Sequence, residues 1–202
     1  TRKRVARAIA ERDAEYIADL ARRQTEAGAD WLDVNAGTHP SQEADDLSWL
    51  IDTIQAAVDT PLCLDSANPA ALRAVITKVN KTPMINSISG EPERLQGILP
   101  IAAEYGCPVI ALAMDDKKIP ETSEKRMEVI RSVVAEARAC GVSESNLYID
   151  PLAMTLSTNS KSALVALETM RGVRAEFPEA HLTIGLSNIS FGLPARSFIN
   201  RY

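Results

Sequence analysis

Several residue types are scarce in this sequence, and each shortage removes a class of function. Only three cysteines occur, Cys63, Cys107 and Cys140, with no Cys-x-x-Cys pair. An odd, scattered set suits neither a disulfide framework nor a structural zinc site, and it points to a reducing, cytoplasmic setting. There are two histidines, His39 and His181, and no His-x-His on a candidate strand. A hydrolytic metal barrel needs imidazoles converging on its ion, so no directly bound metal is expected. No lysine lies within a candidate strand, which leaves a Schiff-base aldolase without its nucleophile. The nine glycines never fall in Gly-x-Gly-x-x-Gly spacing, so a dinucleotide fingerprint and a phosphate loop are both missing. No apolar run reaches the ~18 residues of a membrane span. The opening TRKRVARAIAERDAEY lacks the apolar stretch of a signal peptide. Cations are outnumbered, 22 Lys and Arg against 27 Asp and Glu, and the net charge of -5 argues against a nucleic-acid partner.

What is present is a regular alternation. The chain has 202 residues, 46% of them apolar, enough for one domain spanning 1–202 with a sizeable core. Six short apolar runs read as buried strands: WLDVNAG from Trp31, PLCLDSANP from Pro61, MINSISG from Met84, PVIALAMD from Pro108, LYIDPL from Leu147 and LTIGLSNIS from Leu182. Amphipathic helical stretches separate them. DAEYIADLARRQTEAGA places Ile17, Leu20 and Ala21 on one face and stops at Gly28. Asn68 with Pro69 reads as a cap and first helical residue, and Ser123 as the cap of a helix ending at Gly141. The helical stretch from Glu91 is made irregular by Gly97 and Pro100.

Alternating strands and helices predict a single α/β domain. Polar residues end one strand after another, the pattern of a (β/α)8 TIM barrel, whose site collects side chains from strand C-termini. Six strands fall short of eight. A complete barrel would need a strand before Thr1 and a further strand and helices after Tyr202, so this chain is expected to lack them.

The strand ends supply Asp33 and Asn35, Asp65, Asn86 and Ser87, Asp115, Asp150 and Asn188. These are carboxylates and carboxamides almost throughout. A ligand served by such groups, with no cation, should be a neutral, flat heterocycle rich in N–H donors and ring acceptors. A carboxylate accepts two parallel hydrogen bonds from an amidine-like edge, and an amide both donates and accepts. The 2-amino-4-oxo edge of a pterin has that form. Taken singly, each such residue more often caps a helix or turn. Asp33 reads as structural, Asp115 and Asp116 as solvated loop, Cys63 as a small core residue, and Trp31, Trp49 and Phe191 as packing, with Phe191 also a candidate contact.

LDVNAG, CLDSANP, MINSISG, YIDPL and GLSNISFGLPARSFIN stand in the order found in pterin-binding (β/α)8 barrels. The chain most resembles the methyltetrahydrofolate:corrinoid methyltransferases, relatives of the folate module of cobalamin-dependent methionine synthase. Dihydropteroate synthase shares the barrel and is the nearest rival, although GLSNIS and FGLPAR resemble the methyltransferase branch. The resemblance implies that tetrahydrofolate or methyltetrahydrofolate is substrate, that cobalamin is carried by a corrinoid partner protein, and that the enzyme is a homodimer. It implies that Asp65, Asn86 and Asp150 bind the pterin ring, Asp150 bidentately at the N–H edge. Asn35 belongs to the same motif set. Asn188 matches an asparagine hydrogen-bonding near N5 and is the expected catalytic residue, and Arg196 matches an arginine of the same region. Some family members carry glutamine where this chain has Phe191. A non-catalytic pterin-binding subunit is the alternative from another class.

Overall fold

The computed structural model describes residues 3–116, 118–157 and 161–201. The chain divides into two compact units, one running to Asn86 and including Glu104–Cys107, the other holding Ser87–Ala103 and the residues from Pro108 on.

The first unit opens with helices α1 (Lys3–Glu11) and α2 (Ala14–Glu26), followed by strand β1 (Leu32–Val34), α3 (Pro40–Gln55), β2 (Leu62–Asp65), α4 (Pro69–Val75) and β3 (Met84–Ile88), whose last two residues fall in the second unit. β1 pairs with β2 and β2 with β3, all parallel, with Asp33 opposite Cys63 and Asp65 opposite Asn86. Parallel strands need helical crossovers, and α3 and α4 supply them. The core is aliphatic: Leu47 and Ile51 of α3, Leu64 of β2, Leu72 of α4 and Ile85 of β3 are fully enclosed. Each such side chain contributes roughly 1.5–3 kcal/mol of burial. Asn68 caps α4 as expected, accepting from the N–H groups of Ala70 and Ala71, with Pro69 at the first position.

In the second unit β4 (Val109–Leu112), β5 (Leu147–Asp150) and β6 (His181–Leu182) pair in parallel, with Leu112 opposite Asp150. Helices α6 (Ser123–Ala139) and α7 (Ser162–Glu176) form the crossovers. Helix α5 (Pro92–Tyr105) is continuous despite Pro100, and α8 (Arg196–Ile199) is one turn. The cap of α6 is Thr122, one residue before the expected Ser123, because its side chain accepts the Lys125 N–H. Gly28 and Gly141, both at φ 89°, end α2 and α6 in the left-handed region.

The sixth strand departs from expectation. Leu182 to Ser190 was expected to be a buried strand, but β6 spans only His181–Leu182 and is partly exposed. Leu186–Asn188 form a 3-10 turn instead. The Leu186 N–H goes to the Ile184 carbonyl and the Asn188 N–H to that of Gly185, so the backbone closes on itself and has no ladder to offer. No helix among the described residues is long and apolar enough to cross a membrane.

Candidate functional site

In the first unit the strand C-termini carry a band of cross-bonded polar groups. Asp65 ends β2 opposite Asn86 of β3, and Asn35 follows the end of β1. Asn35 Nδ2 donates to Asp65 Oδ2 at 2.7 Å, and Asn86 Nδ2 donates to Asp33 Oδ2 at 3.0 Å. Asn86 therefore spends a donor on Asp33, and its amide oxygen retains the capacity to accept. Cys63 lies between the two carboxylates. Burial pushes its thiol pKa up, and the charges of Asp33 and Asp65 push it further. It is a buried thiol, as expected of a core residue, with no thiolate character.

The loop after β2 is tied down at once. Ser66 Oγ donates to Glu43 Oε1 of α3, Asn68 Nδ2 donates to Glu43 Oε2 at 3.1 Å, and the Asn68 N–H goes to Ser66 Oγ at 3.0 Å. Ser66 N–H also bonds the Asn86 carbonyl at 3.0 Å. Glu43 thus fixes where β2 stops and α4 starts, and with it the position of Asp65.

In the second unit Asp150 ends β5. Its Oδ1 accepts the Leu152 N–H at 2.7 Å, and the Gly185 N–H lies near enough to its carboxylate to favour the ionised form. Burial raises its pKa above the ordinary aspartate value. The two N–H groups and the nearby charge of Arg126 oppose that rise without cancelling it. A carboxylate has about four lone-pair sites, so two backbone donors leave room for a two-point N–H edge.

Gly185 is also the base of the turn that presents Asn188. A Cβ at Gly185 would stand 2.9 Å from Asn188 Nδ2, so the carboxamide occupies the space a side chain would take. Arg196 secures the other side: Nη2 donates to the Ser187 carbonyl at 3.0 Å and Nε to Ser190 Oγ at 3.2 Å, and the guanidinium lies 5.7 Å from the Phe191 ring centroid. The loop after β5 bonds to this turn. Thr155 Oγ1 donates to the Phe191 carbonyl at 2.6 Å, and the Leu156 N–H to the Ile189 carbonyl at 3.1 Å.

Asn35, Asp65 and Asn86 are thus gathered in one unit, and Asp150, Asn188 and Arg196 in the other. Asn188 is exposed on its 3-10 turn. Phe191 does not pack as expected; it is 65% exposed. Asp115 takes the Lys118 N–H at 3.1 Å, in keeping with its reading as a loop residue. Three contributors escaped the sequence reading: Glu43, Gly185 and Arg126. Arg126 was legible in principle. It precedes Ile130, Val133, Val134 and Ala137 at helical spacing, on the face of α6 that is buried.

Over residues 2–200 the sequence matches the family described as pterin binding enzyme. It is 42% identical over 199 residues to a methylcorrinoid:tetrahydrofolate methyltransferase of Eubacterium limosum, covering 98% of this chain and 73% of that protein. It is 29% identical over 200 residues to methionine synthase of Mycobacterium tuberculosis, covering 93% of this chain and 17% of that protein. Among solved structures, dihydropteroate synthase of Xanthomonas albilineans with 4-aminobenzoic acid superposes with a TM-score of 0.72 at 20% identity, covering 88% of this chain and 66% of that one. The enzyme of Stenotrophomonas maltophilia gives 0.69 at 21%, covering 92% and 74%. Identities this low establish a shared fold, the TIM-barrel type expected from the strand ends.

Proposed function

The chain belongs to the pterin binding enzyme family, and from that premise we propose that it is a methyltransferase moving a methyl group between N5 of tetrahydrofolate and the cobalt of a corrinoid protein. The relative that shares 42% of its residues is named for transfer from methylcorrinoid to tetrahydrofolate, and we take that direction here. A cytoplasmic homodimer meeting a separate corrinoid protein belongs to the same reading.

Asp150 accepts the N–H edge of the pterin pyrimidine. Asn86 and Asp65 serve ring nitrogens, and Asn35 holds Asp65 in place through the bond between them. The corrinoid of the partner supplies the cobalt that gives or takes the methyl group. Asn188 acts at N5. As the methyl arrives, N5 acquires positive charge while still carrying hydrogen, and the amide oxygen accepts that N–H more strongly as the charge grows. An interaction that strengthens only along the reaction lowers the barrier rather than the dissociation constant. Reversal passes through the same transition state, so Asn188 serves either direction. Arg196 works through the turn that carries Asn188, since its guanidinium is spent on Ser187 and Ser190.

The observation that best supports this reading is the place of Gly185 between Asp150 and Asn188: its N–H lies near the carboxylate, and the absence of a side chain makes room for the amide. A pyrophosphate-displacing synthase would want free cations at the strand ends. Arg126, the arginine near Asp150, is instead committed to carbonyls.

Mixing the protein with tetrahydrofolate and methylcobalamin, or with methyltetrahydrofolate and cob(I)alamin, and following the cobalt spectrum tests the proposal. Asn188→Ala should slow transfer about 100-fold while folate affinity changes much less. An equal loss of affinity would make Asn188 a plain binder. Folate binding with no change at cobalt would favour a non-catalytic subunit.

A further inference from the structure

Among the described residues Arg126 is the largest fully buried side chain, 2% exposed, and it stands in the first turn of α6. A cation there opposes the helix dipole, so helix stability does not explain it. Among the described residues no carboxylate lies within ion-pair distance of it. Among the described residues its side-chain hydrogen bonds go to backbone carbonyls: Nε to Pro120 at 2.9 Å, Nη1 to Pro151 at 2.5 Å and Nη1 to Leu152 at 2.8 Å. Two of those carbonyls directly follow Asp150.

Leu152 is itself unusual. Its φ of 64° is left-handed, a conformation that residues other than glycine rarely hold. Its N–H is taken by Asp150 and its carbonyl by Arg126, so the turn is gripped from both sides. Strained backbone of this kind persists only where its surroundings over-determine it. We propose that Arg126 is a positioning residue for folate: its guanidinium holds the left-handed turn at Leu152, and that turn sets the Asp150 carboxylate in the orientation that receives the pterin edge. A guanidinium suits the task because its planar fork satisfies several carbonyls at once while its charge favours the ionised carboxylate nearby. The inference rests on the reading that Asp150 grips the pterin.

Equilibrium binding of methyltetrahydrofolate to the whole protein tests it, with thermal melting measured in parallel. Arg126→Lys keeps the cation and loses the fork; it should weaken binding about tenfold, the worth of one charge-assisted hydrogen bond. Glycine takes positive φ without strain. In a Leu152→Gly background the same Arg126→Lys change should therefore cost roughly threefold or less. Leu152→Val, β-branched and unsuited to the left-handed region, should weaken binding with Arg126 untouched. Equal costs of Arg126→Lys in the two backgrounds would overturn the proposal. So would a loss of melting temperature with affinity unchanged, or full affinity in Leu152→Val. Asp150→Asn separates the two levels. If it binds folate as tightly as the wild type, or if the wild type does not bind, the pterin reading has failed and the role of Arg126 falls with it. If Asp150→Asn weakens binding and the Arg126 and Leu152 variants do not, only the positioning role is wrong.

Discussion

Burial holds the Asp150 proton above the ordinary aspartate range, against the pull of the Leu152 and Gly185 N–H groups and the charge of Arg126. The folded chain therefore keeps this proton to a higher pH than the unfolded chain does. Between the ordinary aspartate value and the raised one, the native state binds more protons, so stability falls as pH rises through that window. Above it Asp150 is a constant cost. Asp150→Asn should remove that segment of the pH dependence and melt no lower than the wild type near neutrality; denaturant titrations of the two proteins across the acid range would show it. The amide can still accept one N–H, but it no longer offers two acceptor oxygens to a ligand. At this scale the sequence was informative about residue types and silent about partners. Carboxylates and carboxamides at strand ends were readable from alternation alone. That Asn86 leans on Asp33, or that Gly185 leaves room for Asn188, depends on side-chain contacts 53 and 3 positions apart that no periodicity encodes.

Elements with a local signal stood where the sequence put them. Asn68 and Pro69 start α4 because an Asx cap followed by proline satisfies the first N–H groups at no cost to the helix. Asn68→Ala would lose that cap and the bond to Glu43 together. A cost of about 1–2 kcal/mol is expected, a fall of several degrees in melting temperature. Because Asp65 lies three residues upstream, folate affinity should fall with it. β6 was misread for the opposite reason: Leu182, Ile184, Leu186 and Ile189 look like a strand's apolar set, yet turn bonds at Gly185 outcompete extension. The α6 cap slipped by one because Thr122 and Ser123 are both good caps, and only the bond to Lys125 decides between them.

For the whole molecule, the thiols report on whether the first unit is closed, since both buried ones belong to it. Cys63 and Cys107 are buried and Cys140 is exposed. Burial pushes the Cys107 thiol up to about 11 and that of Cys63 higher still, with Asp33 and Asp65 adding to the rise at Cys63. A thiol reagent should therefore modify Cys140 promptly and the other two only as the chain unfolds; quantitation of modified sulfur before and after denaturant checks this. The family itself was legible because five short motifs kept their order along nearly the whole chain. The coupling between Asp150 and Asn188 was not, since it runs through the Gly185 peptide. That shared peptide has a consequence for discrimination among folate analogues. If Asn188 acts as proposed, a compound that lacks the amidine edge yet is retained by other contacts would leave its amide unbraced, so the enzyme would tell right from wrong cargo by how fast it turns over, even when both are held equally long.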